Sequence, residues 1–494
     1  MKKLWLSVVL CSGSVWAADA PAPKPNEWQP ELNLQVAEPP VLEVKADAAP
    51  VKPSEEKVIQ VDAATLAQDT ELLQRAMFSA VVAYNIGGIE VVLPIYEQWP
   101  QHDRAMALYA RALVKQAKGE AGEAVRLYRE FIAETPDAPA VRLQLAKALY
   151  EDKQNEAAAD QFNRLQGENL PDDVKHQVEA YRQALRERDS WQWHASFNLT
   201  REQNINQAPR RQRLGEQLSA AECEVARQIK SDDDCFRGWT FNAPIDAVAA
   251  HYQLGGDKKW SLPQAWYATA GASVHGKVYR GHSQYNDATT RISAGVGRAD
   301  QRSDWGATPF HERRFYGNDA YSYTNGLRLH YNRWHSPNLQ SLSALEFGRL
   351  KNQARSRANS QSRLLSTSLL YYPNARQYWL LGGDLYLERN QDDRSENFNR
   401  YGVRAAWGQE WKGGLSTRVQ LNGAHRRYAT PSFFSNQAKR RDNELGTTLS
   451  VWHRAVHFQG ITPRLTLSHQ LNRSNDAFYE YGKSRAFVEL SKTF

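Results

Sequence analysis

Between Ser190 and Phe494 no apolar run is long enough to cross a bilayer as a helix, which excludes a helical membrane domain from the larger part of this 494-residue chain. Cysteine is nearly missing. Of three, Cys11 lies in the first apolar run, and Cys223 and Cys235 share one polar loop. Two cysteines without His, Asp or Glu at ligand spacing do not make a zinc centre, so neither metal nor cofactor is expected. Catalytic motifs are wanting too. His311-Glu312-Arg313-Arg314-Phe315 opens like a zinc-protease motif but lacks a second histidine one helical turn on. Gly482-Lys483-Ser484 resembles the end of a phosphate loop, yet Ala477 stands where the first glycine belongs. Asp232-Asp233-Asp234 reads as a solvated loop. With no acid, base and nucleophile brought together, the chain is not read as an enzyme. A strong charge of one sign is also absent. The formal +7 is modest for this length and does not mark a nucleic-acid binder.

What is present divides near residue 190. Ala, Leu, Glu and Gln dominate before it; Tyr, Trp, Ser, Asn, Gly and Arg follow, the compositions of helices and of strands. Met1-Lys2-Lys3, the apolar run Leu4 to Leu10 and the small residues around Ala17-Ala18 predict a signal peptide over 1–18. Leu10 occupies the position where a lipoprotein signal at Cys11 needs a small residue. Beyond the inner membrane the compartment is oxidising, so a Cys223–Cys235 disulfide is expected as a loop staple. Residues 19–62, broken by Pro21, Pro23, Pro25, Pro30, Pro39 and later prolines, read as a disordered tether. Within it Trp28, Leu32, Leu34 and Val36 form either a docking segment or an incidental apolar island.

Over 63–189 the apolar spacing is helical and repeats about every 34 residues, the tetratricopeptide period. In the unit 105–138, Ala112 and Ala124 let two helices approach, Leu108, Tyr128 and Phe131 fill the seam, Gly119 turns the chain and Pro136 ends the second helix. Leu145, Ala146, Leu149, Ala158, Phe162 and Leu165 repeat the pattern; 69–99 reads as a degenerate first unit and 172–188 as a capping helix. Stacked pairs curve, and the first helix of each lines the concave side. That groove would present Met106, Tyr109, Leu113 and Gln116, then Leu143, Lys147 and Tyr150. It suits an extended peptide, with Tyr109, Gln116, Lys147 and Tyr150 as contact residues. The alternative is that Leu113 and Leu143 belong to the packed seam and the solenoid is a spacer.

From 190 to 494 the period becomes two. Leu415, Thr417, Val419 and Leu421 share one face, Ser416, Arg418, Gln420 and Asn422 the other. One face suits lipid and one water, and an open edge in hydrocarbon would leave backbone groups unpaired, so a closed antiparallel barrel is predicted. About 14 strands can be drawn. Longer loops at 202–243, 390–397 and 429–439 face outward; Gly255 to Lys259, Ser336 to Asn338, Asn374 to Arg376 and Lys412 to Gly414 are read as tight periplasmic turns. Trp260, Trp334, Tyr371, Tyr372, Tyr378, Trp379 and Trp411 lie beside those turns as a boundary girdle. The strands near 364–372 and 379–387 are apolar on both faces, which implies a bulge or a contact inside the lumen.

Helical repeats directly abutting a barrel, the barrel's opening Trp191-Gln192-Trp193, Asn204-Ile205-Asn206 in the first outer loop and the terminal Phe494 together resemble the surface lipoprotein assembly modulator (Slam) family. Phe494, with Ala486, Val488 and Leu490 on its face, is similar to the signal read by the barrel assembly machinery, although Lys492 departs from it. The resemblance implies a monomeric outer-membrane translocon. Its partners would be outer-membrane lipid, the assembly machinery and a surface lipoprotein or secreted binding protein that captures a host nutrient such as haem or iron. The alternative is a polysaccharide exporter, which also joins such repeats to a barrel, usually with more units than fit here.

Overall fold

A computed structural model describes residues 63–168, 170–224, 235–353, 358–374, 376–431, 437–453, 455–458 and 461–493. The expected signal peptide, tether, acidic triplet and Phe494 lie outside them. Eight helices come first: α1 Ala63–Gln68, α2 Thr70–Val82, α3 Ile86–Gln98, α4 Arg104–Ala117, α5 Ala121–Glu134, α6 Pro139–Glu151, α7 Asn155–Gln166 and α8 Asp172–Arg188. Three starts are written in the sequence as side-chain caps. Asp69, Asn85 and Asp103 accept from Leu72 N–H, Gly88 N–H and Ala105 N–H, donors that the first turn leaves unpaired. Consecutive helices pack antiparallel, with Ala112, Ala124, Ala146 and Ala158 fully buried where axes approach. Tyr128, Phe162, Leu149 and Leu165 fill the space between them. At Gly119 the backbone is left-handed (φ +70°), which is why glycine turns α4 into α5.

The chain then enters a closed barrel of fourteen strands: β1 Trp191–Glu202, β4 Ala247–Ser261, β5 Trp266–Tyr279, β6 Asp287–Ala299, β7 Ser303–Tyr316, β8 Asp319–Ser336, β9 Leu339–Asn352, β10 Ser360–Asn374, β11 Gln377–Asn390, β12 Phe398–Glu410, β13 Leu415–Pro431, β14 Lys439–His453, β15 Arg464–Ser474 and β16 Tyr481–Thr493. Neighbours pair antiparallel in sequence order and β1 closes on β16. A separate hairpin, β2 Arg213–Gln217 with β3 Phe236–Thr240, rides in the first outer loop. Outward positions such as Leu199, Ile292, Leu381 and Val403 are largely exposed, the surface that a membrane would cover. The intervening residues face one another across the lumen.

The lumen is crowded. Asp384 takes Arg400 at 2.8 Å and Arg404 at 2.9 Å; Glu444 takes Arg426 at 2.6 Å and Arg400 at 3.0 Å. Rings of Tyr386, Phe398 and Tyr428 follow one another at 5.7 and 5.3 Å. This explains the strands that are apolar on both faces. Leu364 and Leu370 of β10 and Leu380 and Tyr386 of β11 are inward and buried, and the β10–β11 ladder runs unbroken from Ser360 to Tyr371.

Two expectations need correction. Gly255 to Lys259 is not a turn: β4 runs through it to Ser261, and the chain reverses at 262–265. The two glycines are there because Trp193 and His194 of β1 lay their rings over Gly256 and Gly255, where any Cβ would collide. The aromatic girdle also splits. Tyr371 and Trp379 face lipid, continued by Trp191, Trp193, Trp266 and Trp305, whereas Trp334, Tyr372 and Tyr378 fall on the inward register and contact one another at 6.2 and 6.3 Å. Residue type placed these rings near the boundary; strand parity decides which side they take.

Candidate functional site

The inner helices α4 and α6 are tied together by polar side chains. Tyr128 donates its hydroxyl to Gln116 Oε1 (2.9 Å), and Gln116 Nε2 donates to Glu151 (3.2 Å). Tyr84, from the α2–α3 turn, brings its hydroxyl 3.4 Å from that of Tyr109 and accepts from Gln144 Nε2 at 3.1 Å. The face therefore reads Tyr84, Tyr109, Gln116, Gln144, Lys147 and Glu151, aromatic rings interleaved with amides and one charge of each sign. Burial pushes the Glu151 carboxyl up and the Lys147 ammonium down, each favouring its neutral form. Burial likewise raises the Tyr109 and Tyr128 phenols, which keeps both as hydrogen-bond donors.

Tyr109, Gln116 and Lys147 are half-buried and on this face. Tyr150 is buried beneath Arg188, whose guanidinium stacks 3.5 Å from its ring centre and donates to its carbonyl at 3.0 Å. Leu113 and Leu143 are buried in the seam between helices, so the open face is more polar than α4 and α6 suggest alone. Tyr84, Gln144 and Glu151 were not apparent from the sequence. Their partners lie 25 to 60 positions away, and only the stacking of one pair on the next brings them together.

This face is fixed to the barrel by its turns. Ala121 N–H donates to Gln301 Oε1 (3.1 Å) and Arg302 to the Lys118 carbonyl (3.0 Å); Asn155 donates to Ser261 Oγ (2.8 Å), which donates to Asp189 (2.7 Å). The α4–α5 and α6–α7 turns thus sit on the barrel turns at 300–302 and 261–265. Lys153 lies in this contact. Burial, then the charges of Arg188 and Lys259, push its ammonium down to about 8. Below that pH the group is charged whether or not the contact is intact, and the folded form carries the full desolvation cost. Between about 8 and the ordinary lysine value of about 10.4 the folded form alone has shed its proton, so stability rises with pH across that window. Amine labelling of the folded protein is expected to give Lys153 a midpoint near 8, while an unshifted midpoint would show the contact to be wet.

At the far end, the first outer loop folds over the barrel mouth. Asn204 takes a left-handed backbone (φ 51°), accepts from Ala208 N–H (2.7 Å) and donates to the Ala208 carbonyl (3.0 Å). Asn206 accepts from Ile245 N–H (2.9 Å), and Ile205 packs against Ala247, Ala249 and Tyr279. Farther along, Arg210 N–H donates to the Glu480 carbonyl (2.7 Å), and Phe241 meets Phe478 edge-on. The Cys223–Cys235 disulfide is present and closes the loop that joins β2 to β3, at the end of the hairpin where Leu218 N–H donates to the Cys235 carbonyl.

The β1–β16 seam runs from His194 opposite Thr493 to Glu202 opposite Arg485, and among the described residues Trp191 to Trp193 pair only with β4. Glu202, fully buried, is bonded by Lys483 across the seam and accepts from the Tyr279 hydroxyl (2.7 Å), with Arg485 at 3.9 Å and His251 at 3.4 Å. Among the described residues no cluster of His, Cys, Asp and Glu is arranged to hold a metal.

Comparison with known proteins agrees with this architecture. The family model described as Surface lipoprotein assembly modifier matches residues 191–494, and that of its N-terminal repeats matches 59–162. Surface lipoprotein assembly modifier 1 of Neisseria meningitidis is 52% identical, over 99% of this chain and 96% of its own. The Moraxella catarrhalis protein of the same family is 42% identical over 95% and 89%. Hemophilin secretion modulator of Acinetobacter baumannii is 25% identical over 86% of each. This chain is a member of the surface lipoprotein assembly modifier family, an outer-membrane barrel carrying a tetratricopeptide domain.

Proposed function

We propose that this protein is an outer-membrane translocon that delivers a particular surface lipoprotein, or a related secreted binding protein, across the outer membrane. The observation that carries this reading is a mixed aromatic and polar helical face hydrogen-bonded through its turns to the periplasmic turns of a closed barrel. The cargo meets Tyr109, Gln116 and Lys147 first. Tyr150 acts indirectly, as the ring on which Arg188 rests. A face of tyrosines and amides suits an unfolded or extended polypeptide, since rings supply contact area and amides adapt to backbone groups.

The route onward runs along the β1–β16 seam. A chain threading the lumen would have to part the ion pairs of Asp384 and Glu444 and displace the first outer loop, whereas strand exchange at the seam replaces one set of backbone hydrogen bonds by another. No polymer of sugar is needed in this account. Deleting the protein from its cell is expected to remove a specific polypeptide from the protease-accessible surface and leave total synthesis of that polypeptide unchanged. Loss of an extracellular polysaccharide instead, with every surface polypeptide in place, would reject it.

A further inference from the structure

From the geometry of the outer rim we infer that the outward face of β13, β14 and β15 binds phosphate groups of an outer-leaflet glycolipid. Arg427 and Arg441 stand directly opposite each other in the β13–β14 ladder, both outward and exposed. Arg473 of β15 is paired with Asn443, two residues along β14, which puts it diagonally beside Arg441. Like charges facing each other across strands destabilise a sheet, so an arrangement of three arginines in adjacent strands calls for an anion between them. The chain supplies none. On the outward register of these strands, every second residue of 415–431, 439–453 and 465–473, there is no Asp or Glu. None of the three side chains has a carboxylate within ion-pairing distance among the described residues.

The inward register of the same strands is the reverse. Arg426, next in sequence to Arg427, meets Glu444 at 2.6 Å, and Arg440, next to Arg441, meets Asp442 at 2.6 Å. At this level of the rim the inward arginines, Arg426 and Arg440, are thus neutralised by the protein, and the outward ones beside them are left for something outside it. The level of the cluster fits a lipid headgroup. Toward the membrane centre on the same face come His425 bonded to Asn443 (2.8 Å), then Leu421, Leu445, Leu449, Leu465 and Leu467, an apolar band on which acyl chains would lie. Guanidinium binds phosphate through paired, charge-assisted bonds, and three neighbouring arginines on one face exceed what a single zwitterionic phospholipid would need. A disaccharide lipid bearing two phosphates matches both the charge and the spread over three strands.

The test uses the full-length protein purified in a neutral detergent, with added bisphosphoryl lipid A as the probe and its phosphate-free form as the comparison, read by native mass spectrometry and by melting temperature. Wild type is expected to retain the bisphosphoryl lipid at least tenfold more than the phosphate-free one and to melt higher with it. Arg427→Gln with Arg441→Gln and Arg473→Gln is expected to lose that preference, and the three Arg→Lys changes to keep part of it. Should the triple change fail to fold, Arg441→Gln alone decides. It is expected to melt no lower than wild type without lipid, because a like-charge pair has been relieved, and to show a smaller rise with it. Equal retention of both lipids by wild type, or an unchanged response in Arg441→Gln, would overturn the inference.

Discussion

A disulfide across the barrel seam, made by Leu199→Cys on β1 and Val488→Cys on β16, is expected to cut cargo delivery at least tenfold and to release it on reduction. The two positions are directly opposite in the ladder and both face outward, so the bridge disturbs neither the lumen nor the solenoid. Every other pair of neighbouring strands is joined through a turn or loop of the chain; β1 and β16 are held by backbone hydrogen bonds, by side chains across the seam and by contacts between the outer loops that flank it. Among those side chains are the Glu202 group and the Thr200 hydroxyl, which donates to the Ala486 carbonyl at 3.1 Å. Breaking such a buried ion pair costs about 3–5 kcal/mol when one partner is removed, but an incoming strand that re-forms the backbone bonds offsets part of the cost of opening. A lumen route would meet several such pairs with no replacement. Asn198→Cys with Glu489→Cys, the adjacent pair of the other hydrogen-bonding type, guards against poor bridge geometry at the first site. Undiminished delivery by a demonstrably bridged protein would move the route into the lumen.

Much of this architecture is legible in the sequence because it follows from short-range pattern. The small residues Ala112, Ala124, Ala146 and Ala158 mark where helices touch, and alternation along segments such as 415–422 marks which strand face meets lipid. Signals that tertiary contact overrides were misread. Gly255-Gly256-Asp257 has the composition of a turn, yet rings from β1 require those glycines inside a strand. The β2–β3 hairpin escaped notice because its strands are five residues each and 18 residues apart, with a disulfide in the connecting loop marking it more than any pattern. The Asn204-Ile205-Asn206 segment was visible as a family mark, whereas its work, folding the outer loop onto β4 and β5, is not a local property. For the candidate site, Tyr109, Gln116 and Lys147 were found from helix register. Tyr84 and Glu151, which complete that face, depend on the stacking of separate units.

On the proposed function, the solenoid face receives the cargo and passes it to the barrel. In the full-length protein, changing Tyr109→Ala, Gln116→Ala and Lys147→Glu together removes a half-buried ring, an amide and a positive charge, none of them among the buried Ala and Leu residues of the seam. Loss of a few contacts of about 1 kcal/mol each would weaken capture ten- to a hundredfold, since about 1.4 kcal/mol is a factor of ten. The most direct measurement places a photo-crosslinking residue at Gln116 of the complete chain and follows cargo in transit. Rapid crosslinking to one polypeptide before that polypeptide becomes protease-accessible outside, and its absence in the protein altered at Tyr109 and Lys147, is the predicted result. Cargo that reaches the surface at the normal rate without ever crosslinking at Gln116, or that does so when the face has been altered, would contradict the account.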